Sequence, residues 1–317
     1  MEKYKELQDL IKEYEKTKIW EYIDGDDIFK LDGFDENIYI SIMGNAGIDY
    51  GIGIYYSNQD LLSQLDITYG QHANSPDAFI RLKAYKITLG SPGHMLTDKD
   101  KKQLKSNNIK PKNVVFRLTA GKLPRVVTED ESSLLISILK RIINISNYII
   151  TNNLNFDSIK QEHMYSFNEK EEKITVKEIK YPSLKYQFIK QSKLDEDLLN
   201  KAAWINPTGE LNIGLLYFPM FMKDTKSYPL MVIIHDVKSD MIINMQIIKD
   251  EEQSEIANAI LRTFIDKRII PEKLTFNSNE IADISKELIK EFKILYRVDE
   301  NMEKLFEIWN NMYENIF

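Results

Sequence analysis

The stretch from Tyr228 to Ile248, YPLMVIIHDVKSDMIINMQII, decides the fold. Two apolar runs of strand length flank the polar segment DVKSD, which reads as a turn, so the stretch predicts a β-hairpin. Upstream, LNIGLLYF (Leu211–Phe218) adds a third strand. Downstream, a helix is expected from Glu251 to Arg268, with acids in its first turn and Lys267 and Arg268 in its last, as the helix dipole favours. Pro271 then turns the chain into KLTF (Lys273–Phe276), a short apolar strand. A helix bearing Ile281, Ile284, Leu288 and Phe292 follows, then the strand KILYRV (Lys293–Val298). The terminal helix aligns Met302, Leu305, Phe306, Trp309, Met312, Tyr313 and Ile316 at helical spacing. Such a stripe reads as core or interface, and here it is expected to cover the domain's own sheet. The order β-β-β-α-β-α-β-α predicts an α/β domain with a mixed sheet.

Working outward, the first half shows a different pattern. Tyr4, Leu7, Leu10, Ile11 and Tyr14 share one helical face. IYISIMGNAGIDYGIGIYY (Ile38–Tyr56) reads as two strands around GNAG, and NQDLLSQL (Asn58–Leu65) as a short helix. The glycines around that turn invite a phosphate-loop reading, but neither Gly-x-Gly-x-x-Gly nor the Walker pattern is present, so turn and strand roles are expected. Asn113–Pro124 reads as a strand and turn. Thr128 and Glu131 have the spacing of a capping box, opening a long helix with the stripe Leu134, Leu135, Ile138, Ile142, Ile145 and Ile149. The polar stretch TNNLNFDS (Thr151–Ser158) places a boundary between an α+β domain, 1–155, and an α/β domain, 156–317. The second is expected to open with strands in KITVKEI and LKYQFI and a helix through DEDLLNKAAW.

At 317 residues, two domains are the expectation. Cysteine is absent, which excludes disulfides, thiolate nucleophiles and cysteine-held metals. No stretch resembles a signal peptide, and no apolar run approaches a membrane span, so a cytosolic protein without a membrane partner is expected. The net charge of −7 argues against nucleic acid as partner. The charge is uneven, however. Trp20–Asn37 carries seven acidic residues against one lysine, whereas Asp98–Arg125 carries nine basic residues against two aspartates. Lys101, Lys102, Lys105 and Arg117 are the candidate contacts in that basic segment, which either meets phosphate or another protein surface, or forms a solvated face. Among the four histidines, His94 in GSPGHMLTD is the most loop-like and so the binding candidate.

From LNIGLLYF onward, the element order resembles the RNase H-like fold of integrases and transposases. That fold places carboxylates on its first strand and at the mouth of its fourth, because two divalent ions about 4 Å apart must be neutralised and held. Here the first strand has none, and Asn277 stands at the strand mouth. Asp236, Asp240 and Asn277 are the members of a vestigial or alternative metal cleft. Asp236 also suits a turn role, bonding nearby backbone N–H groups. The whole chain resembles an uncharacterised bacterial family built of two domains of unknown function. The resemblance is carried by YISIMGNAGIDYGIGIYYSNQDLL and VFRLTAGKLPRVVTEDESSLLISIL in the first half, and by the hairpin and IIPEKLTF in the second. It implies no activity, cofactor or site residue.

The resulting expectation is a non-catalytic cytosolic binding or interaction module that needs no cofactor or metal, has a protein as partner, and leaves room for an oligomer. The alternatives are a divergent metal-dependent nuclease or phosphotransferase, and a nucleic-acid binder using residues 99–125.

Overall fold

The computed structural model describes residues 2–47, 49–90, 96–106, 112–156, 162–171 and 173–316. The elements begin with α1 (Glu2–Thr17), β1 (Ile28–Leu31), β2 (Ile38–Met43), β3 (Gly51–Tyr55), α2 (Asn58–Thr68), α3 (Ala78–Arg81) and β4 (Ala84–Thr88). Next come α4 (Asp98–Ser106), β5 (Val115–Leu118), β6 (Arg125–Val126), α5 (Glu129–Asn152), β7 (His163–Lys170), β8 (Lys173–Lys180) and α6 (Glu196–Ala202). The last third contains β9 (Glu210–Tyr217), β10 (Leu230–Asp236), β11 (Met241–Ile248), α7 (Ile256–Lys267), β12 (Lys273–Phe276), α8 (Asn279–Ile284), α9 (Lys286–Phe292), β13 (Leu295–Val298) and α10 (Glu303–Ile316).

The chain divides into two compact units. The first comprises Met1–Leu62, Lys83–Thr119 and Pro124–Lys185, and the second Ser63–Leu82, Ala120–Leu123 and Tyr186–Phe317. These units differ from the sequence-based division between residues 155 and 156. β7 and β8 belong to the first sheet, and two short segments from the first half join the second unit.

The first unit is built on an eight-stranded sheet, ordered β6-β5-β4-β3-β2-β1-β7-β8. The hairpin expected around GNAG is β2–β3, with Tyr39 opposite Tyr55 and Met43 opposite Gly51. Its turn requires glycine. Gly44 has φ 131°, and a Cβ there would lie 2.4 Å from the Tyr50 ring. One face of the sheet packs on α1 and α5. Tyr4, Leu7, Ile11 and Tyr14 are the buried stripe of α1, and Leu135, Ile138, Ile142, Ile145 and Ile149 that of α5. α5 is long and apolar enough to cross a membrane, but its apolar stripe lies in this core. The Thr128–Glu131 capping box forms as expected. Thr128 Oγ1 accepts the Glu131 N–H, and a Glu131 carboxylate oxygen accepts the Thr128 N–H at 2.7 Å. The sequence reading leaves four strands of this sheet unassigned, β1, β4, β6 and β7.

The second unit has a five-stranded sheet ordered β11-β10-β9-β12-β13. β10 runs antiparallel to both β9 and β11, while β12 runs parallel to both β9 and β13. From β9 to α10 the strands follow the expected order, but the helix expected from Glu251 begins as α7 at Ile256, after a 3-10 segment, and the one expected to carry Ile281 to Phe292 divides into α8 and α9. One face buries Leu211, Ile213, Leu215, Val232, Ile234, Leu274 and Phe276 against residues of α7, α8 and α9. The other face buries Leu216, Met231 and Ile233 under Met302, Leu305 and Trp309 of α10. The Trp309 indole N–H donates to the Tyr217 carbonyl at 2.5 Å, which satisfies the one polar atom that burial of the ring would otherwise orphan. Gly214 leaves room for this helix, since a Cβ there would lie 2.5 Å from Leu305 Cδ1. LKYQFI (Leu184–Ile189), expected as a strand, is irregular. Tyr186 and Phe188 stack at 5.7 Å, and the Tyr186 hydroxyl is drawn to Asp66, so this segment is held by side chains rather than by a ladder.

Candidate functional site at the edge of the second sheet

The sequence-predicted metal cleft separates into three unrelated roles. Asn277 follows β12 and is buried. Its Oδ1 accepts the Leu215 N–H at 3.0 Å and its Nδ2 donates to the Leu215 carbonyl at 3.3 Å. The amide thus does what one more residue of β12 would do for β9, and only a group with both a donor and an acceptor can do it. Asp236 closes the hairpin turn, accepting the Lys238 N–H, the Ser239 N–H and the Ser239 hydroxyl. The Ser239 hydrogen bond, with the two backbone N–H groups, holds its carboxyl below the ordinary value. Asp240 accepts from Lys304 at 3.0 Å and sits 2.9 Å from His235 Nε2. The Lys304 hydrogen bond, then that of His235, lowers its pKa. Asp236 pairs with Leu211 at the start of β9, whereas Asn277 binds Leu215 further along the same strand, so the two do not converge. Among the described residues, no group of three or more His, Asp or Glu is placed to hold a metal ion.

The basic candidates disperse as well. Lys101, Lys102 and Lys105 lie exposed on α4, with Lys101 3.6 Å from Asp98. Arg117 on β5 instead packs over the Tyr85 ring at 4.4 Å and faces Asp60 at 3.8 Å. His94 lies outside the described residues.

Sequence reading missed a polar node that includes three carboxylates, a guanidinium and an imidazole. Asp77 is fully buried, and accepts from Arg81 Nε at 3.0 Å, from the Ser75 hydroxyl at 2.5 Å and from the Tyr217 N–H at 2.7 Å. Arg81 also reaches Glu280 at 3.2 Å and the Leu215 carbonyl at 3.0 Å, with its guanidinium 5.3 Å from the Tyr217 ring centroid. Burial pushes the Asp77 carboxyl up, but the charge and hydrogen bonds of Arg81 outweigh it and leave the group below its ordinary value. Burial likewise opposes the charge on Arg81, and Asp77 and Glu280 more than restore it. Alongside, Asp66 Oδ2 lies 2.5 Å from His72 Nδ1, and Oδ1 accepts the Tyr186 hydroxyl at 2.8 Å. His72 Nε2 is buried and has no hydrogen-bond partner among the described residues. These groups come from Ser63–Leu82, β9, the start of α8 and Tyr186, so no local spacing announces them.

β11 exposes four large apolar side chains, Met241, Ile242, Met245 and Ile247, whereas β13 exposes two, Leu295 and Tyr296. β11 pairs with β10 on one side and ends the sheet. Met231 faces Ile247, Ile233 faces Met245 and His235 faces Ile242. These three β11 residues therefore continue the face that α10 covers over β9 and β10, but they remain 39–40% exposed, and Met241 is 63% exposed. The eight residues MIINMQII carry no charge. The other sheet-end strands are guarded. β6 has two residues, one of them Arg125. β13 has four, with Arg297 among them. β8 is long, but Lys173, Lys177, Glu178 and Lys180 lie along it. Charge and shortness are the usual protection of an unpaired strand edge against pairing with another chain. β11 has neither.

A domain of unknown function, DUF7309, matches residues 4–166, and a second domain of unknown function, DUF6930, matches residues 199–313. No curated protein and no solved structure matches the chain. The first match covers more than half of the chain, which therefore belongs to the DUF7309 family and carries a DUF6930 domain in its second half.

Proposed function

We propose that this protein is a non-catalytic interaction module that binds a protein segment by strand addition at β11. The observation carrying this reading is the contrast among the four sheet edges. Three are short or charged, and the fourth presents eight uncharged residues with Met241, Ile242, Met245 and Ile247 exposed. A strand laid on such an edge gains main-chain hydrogen bonds, and alternate side chains gain an apolar face. The non-catalytic part is supported by how the second domain uses its polar groups. Its strand order, β11-β10-β9-β12-β13, supports an RNase H-like scaffold. At the strand mouth where such a scaffold needs a carboxylate, Asn277 spends both ends of its amide on Leu215.

The test is a random-peptide library panned on the wild type and counter-selected on a Met245→Lys, Ile247→Lys variant. Enriched peptides should alternate apolar residues and slow hydrogen exchange at Met241–Ile248. Enrichment with protection elsewhere, or no enrichment on a protein that sedimentation shows to be monomeric, overturns the strand-addition reading. Cleavage of DNA or RNA with Mg²⁺ or Mn²⁺ that disappears on Asp236→Ala overturns the non-catalytic one.

A further inference from the structure

We infer that the segment β11 receives is β11 of a second copy, paired antiparallel about a two-fold axis at Gln246; this rests on the reading of β11 as the binding edge. Two-fold antiparallel pairing imposes a parity rule. Hydrogen-bonded and non-hydrogen-bonded pairs alternate along the ladder, so a symmetric pair must place one residue opposite itself. The register shift against β10 falls between Ile234 and His235, which leaves Asn244–Ile248 as the regular half of the strand. Gln246 is its centre.

With Gln246 opposite its own copy, Met245 stands opposite the second copy's Ile247, and Ile247 opposite the second copy's Met245. All four side chains lie on the face continuous with the α10 core, where each is 39–40% exposed in the single chain. Cross-strand pairs of large apolar residues are the stabilising unit of a sheet. On the opposite face the two Gln246 amides meet, and an amide is complementary to itself because it both donates and accepts. No like charges oppose one another within the strand, since it contains none. A foreign strand recognised by charge would find nothing here to complement, whereas an identical strand matches this edge residue for residue. The pairing engages one short strand from each copy, so association that depends on protein concentration is expected.

The absence of cysteine allows a direct test in the full chain. Directly opposed residues in an antiparallel pair have Cα atoms about 4.5–5.5 Å apart, within the roughly 4.4–6.8 Å that a disulfide spans. A Gln246→Cys variant should therefore cross-link to a covalent dimer under mild oxidation. A Met241→Cys variant, more exposed than Gln246 but five residues from the axis, should not. Sedimentation of the wild type should show a dimer that strengthens with concentration, and Ile247→Lys should weaken it at least tenfold. Failure of Gln246→Cys to cross-link, or equal cross-linking at both positions, overturns the proposal. A wild type that stays monomeric while library peptides still protect β11 overturns the second copy as partner but leaves strand addition standing. Monomers with no peptide binding remove both.

Discussion

Replacing Arg81 with methionine tests the buried node of the second domain. The guanidinium makes two contacts to Asp77, at 2.9 and 3.0 Å, one to Glu280 at 3.2 Å and one to the Leu215 carbonyl at 3.0 Å. The consequences differ for each partner. Glu280 is partly exposed and regains water. The Leu215 carbonyl keeps the Asn277 amide. Asp77 is fully buried and retains only the Ser75 hydroxyl and the Tyr217 N–H. Breaking a buried ion pair from one side costs about 3–5 kcal/mol, chiefly through the charge left behind, and those two remaining donors place Arg81→Met near the lower end, at ~3–4 kcal/mol. The pH dependence has a definite sign. In the wild type the Asp77 pKa is lowered, so its stabilisation is present above the unfolded value of about 3.9 and is lost as pH falls through the folded one. In the variant, burial without Arg81 raises that pKa. The penalty is then complete near neutrality and shrinks as pH falls and the carboxyl takes a proton. Urea unfolding followed by Trp309 fluorescence, with Trp20 and Trp204 replaced by phenylalanine, measures both effects. A loss below ~1 kcal/mol at pH 7, or a loss that grows on acidification, refutes the reasoning.

Trp309→Ala should cost ~3–5 kcal/mol by removing a buried aromatic ring and its hydrogen bond to Tyr217, measured against the wild type at the same protein concentration; a monomeric variant as stable as a dimeric parent refutes the core assignment. Asn277→Asp should lower stability by about 1–3 kcal/mol, because a carboxylate cannot donate to the Leu215 carbonyl, and should confer no Mg²⁺ binding by calorimetry. Burial pushes the Glu131 carboxyl up, but Arg125 and the Thr128 N–H bring it down to about 2. Its stabilisation is therefore complete above the unfolded value of about 4.3 and is lost as pH falls toward 2. Acid unfolding of Glu131→Gln should lack that component, and an unchanged acid limb counts against it.

The readable parts of the chain were those whose signal is local. The Thr128–Glu131 spacing, the α1, α5 and α10 stripes and the Tyr228–Ile248 hairpin each follow from residues a few positions apart, which share a helix face or a pleat. Asp236 was legible too, because a turn aspartate bonds its own neighbours. The node was not. Asp77 and Tyr217 lie 140 positions apart, and Arg81 and Glu280 lie 199 apart, so only the folded chain brings them together. LKYQFI has the alternation of a strand but finds no ladder, and its Tyr186 is spent on Asp66 instead.

β11 shows most clearly what each level decided. The sequence determined that Met241–Ile248 is a strand, that it follows Leu230–Asp236 through a turn, and that it carries no charge. Apart from Asp236 at its end, β10 reads alike, yet it is central and buried on both faces. Whether a strand is central or terminal depends on which strand hydrogen-bonds to its second edge, and that partner is chosen by the packing of the whole sheet. Here β9 fills the second edge of β10, and β12 with β13 extend the sheet on the far side, so β11 is left at the end. Side-chain alternation is a property of one strand, but an unpaired edge is a property of its neighbours, and only the tertiary structure fixes those.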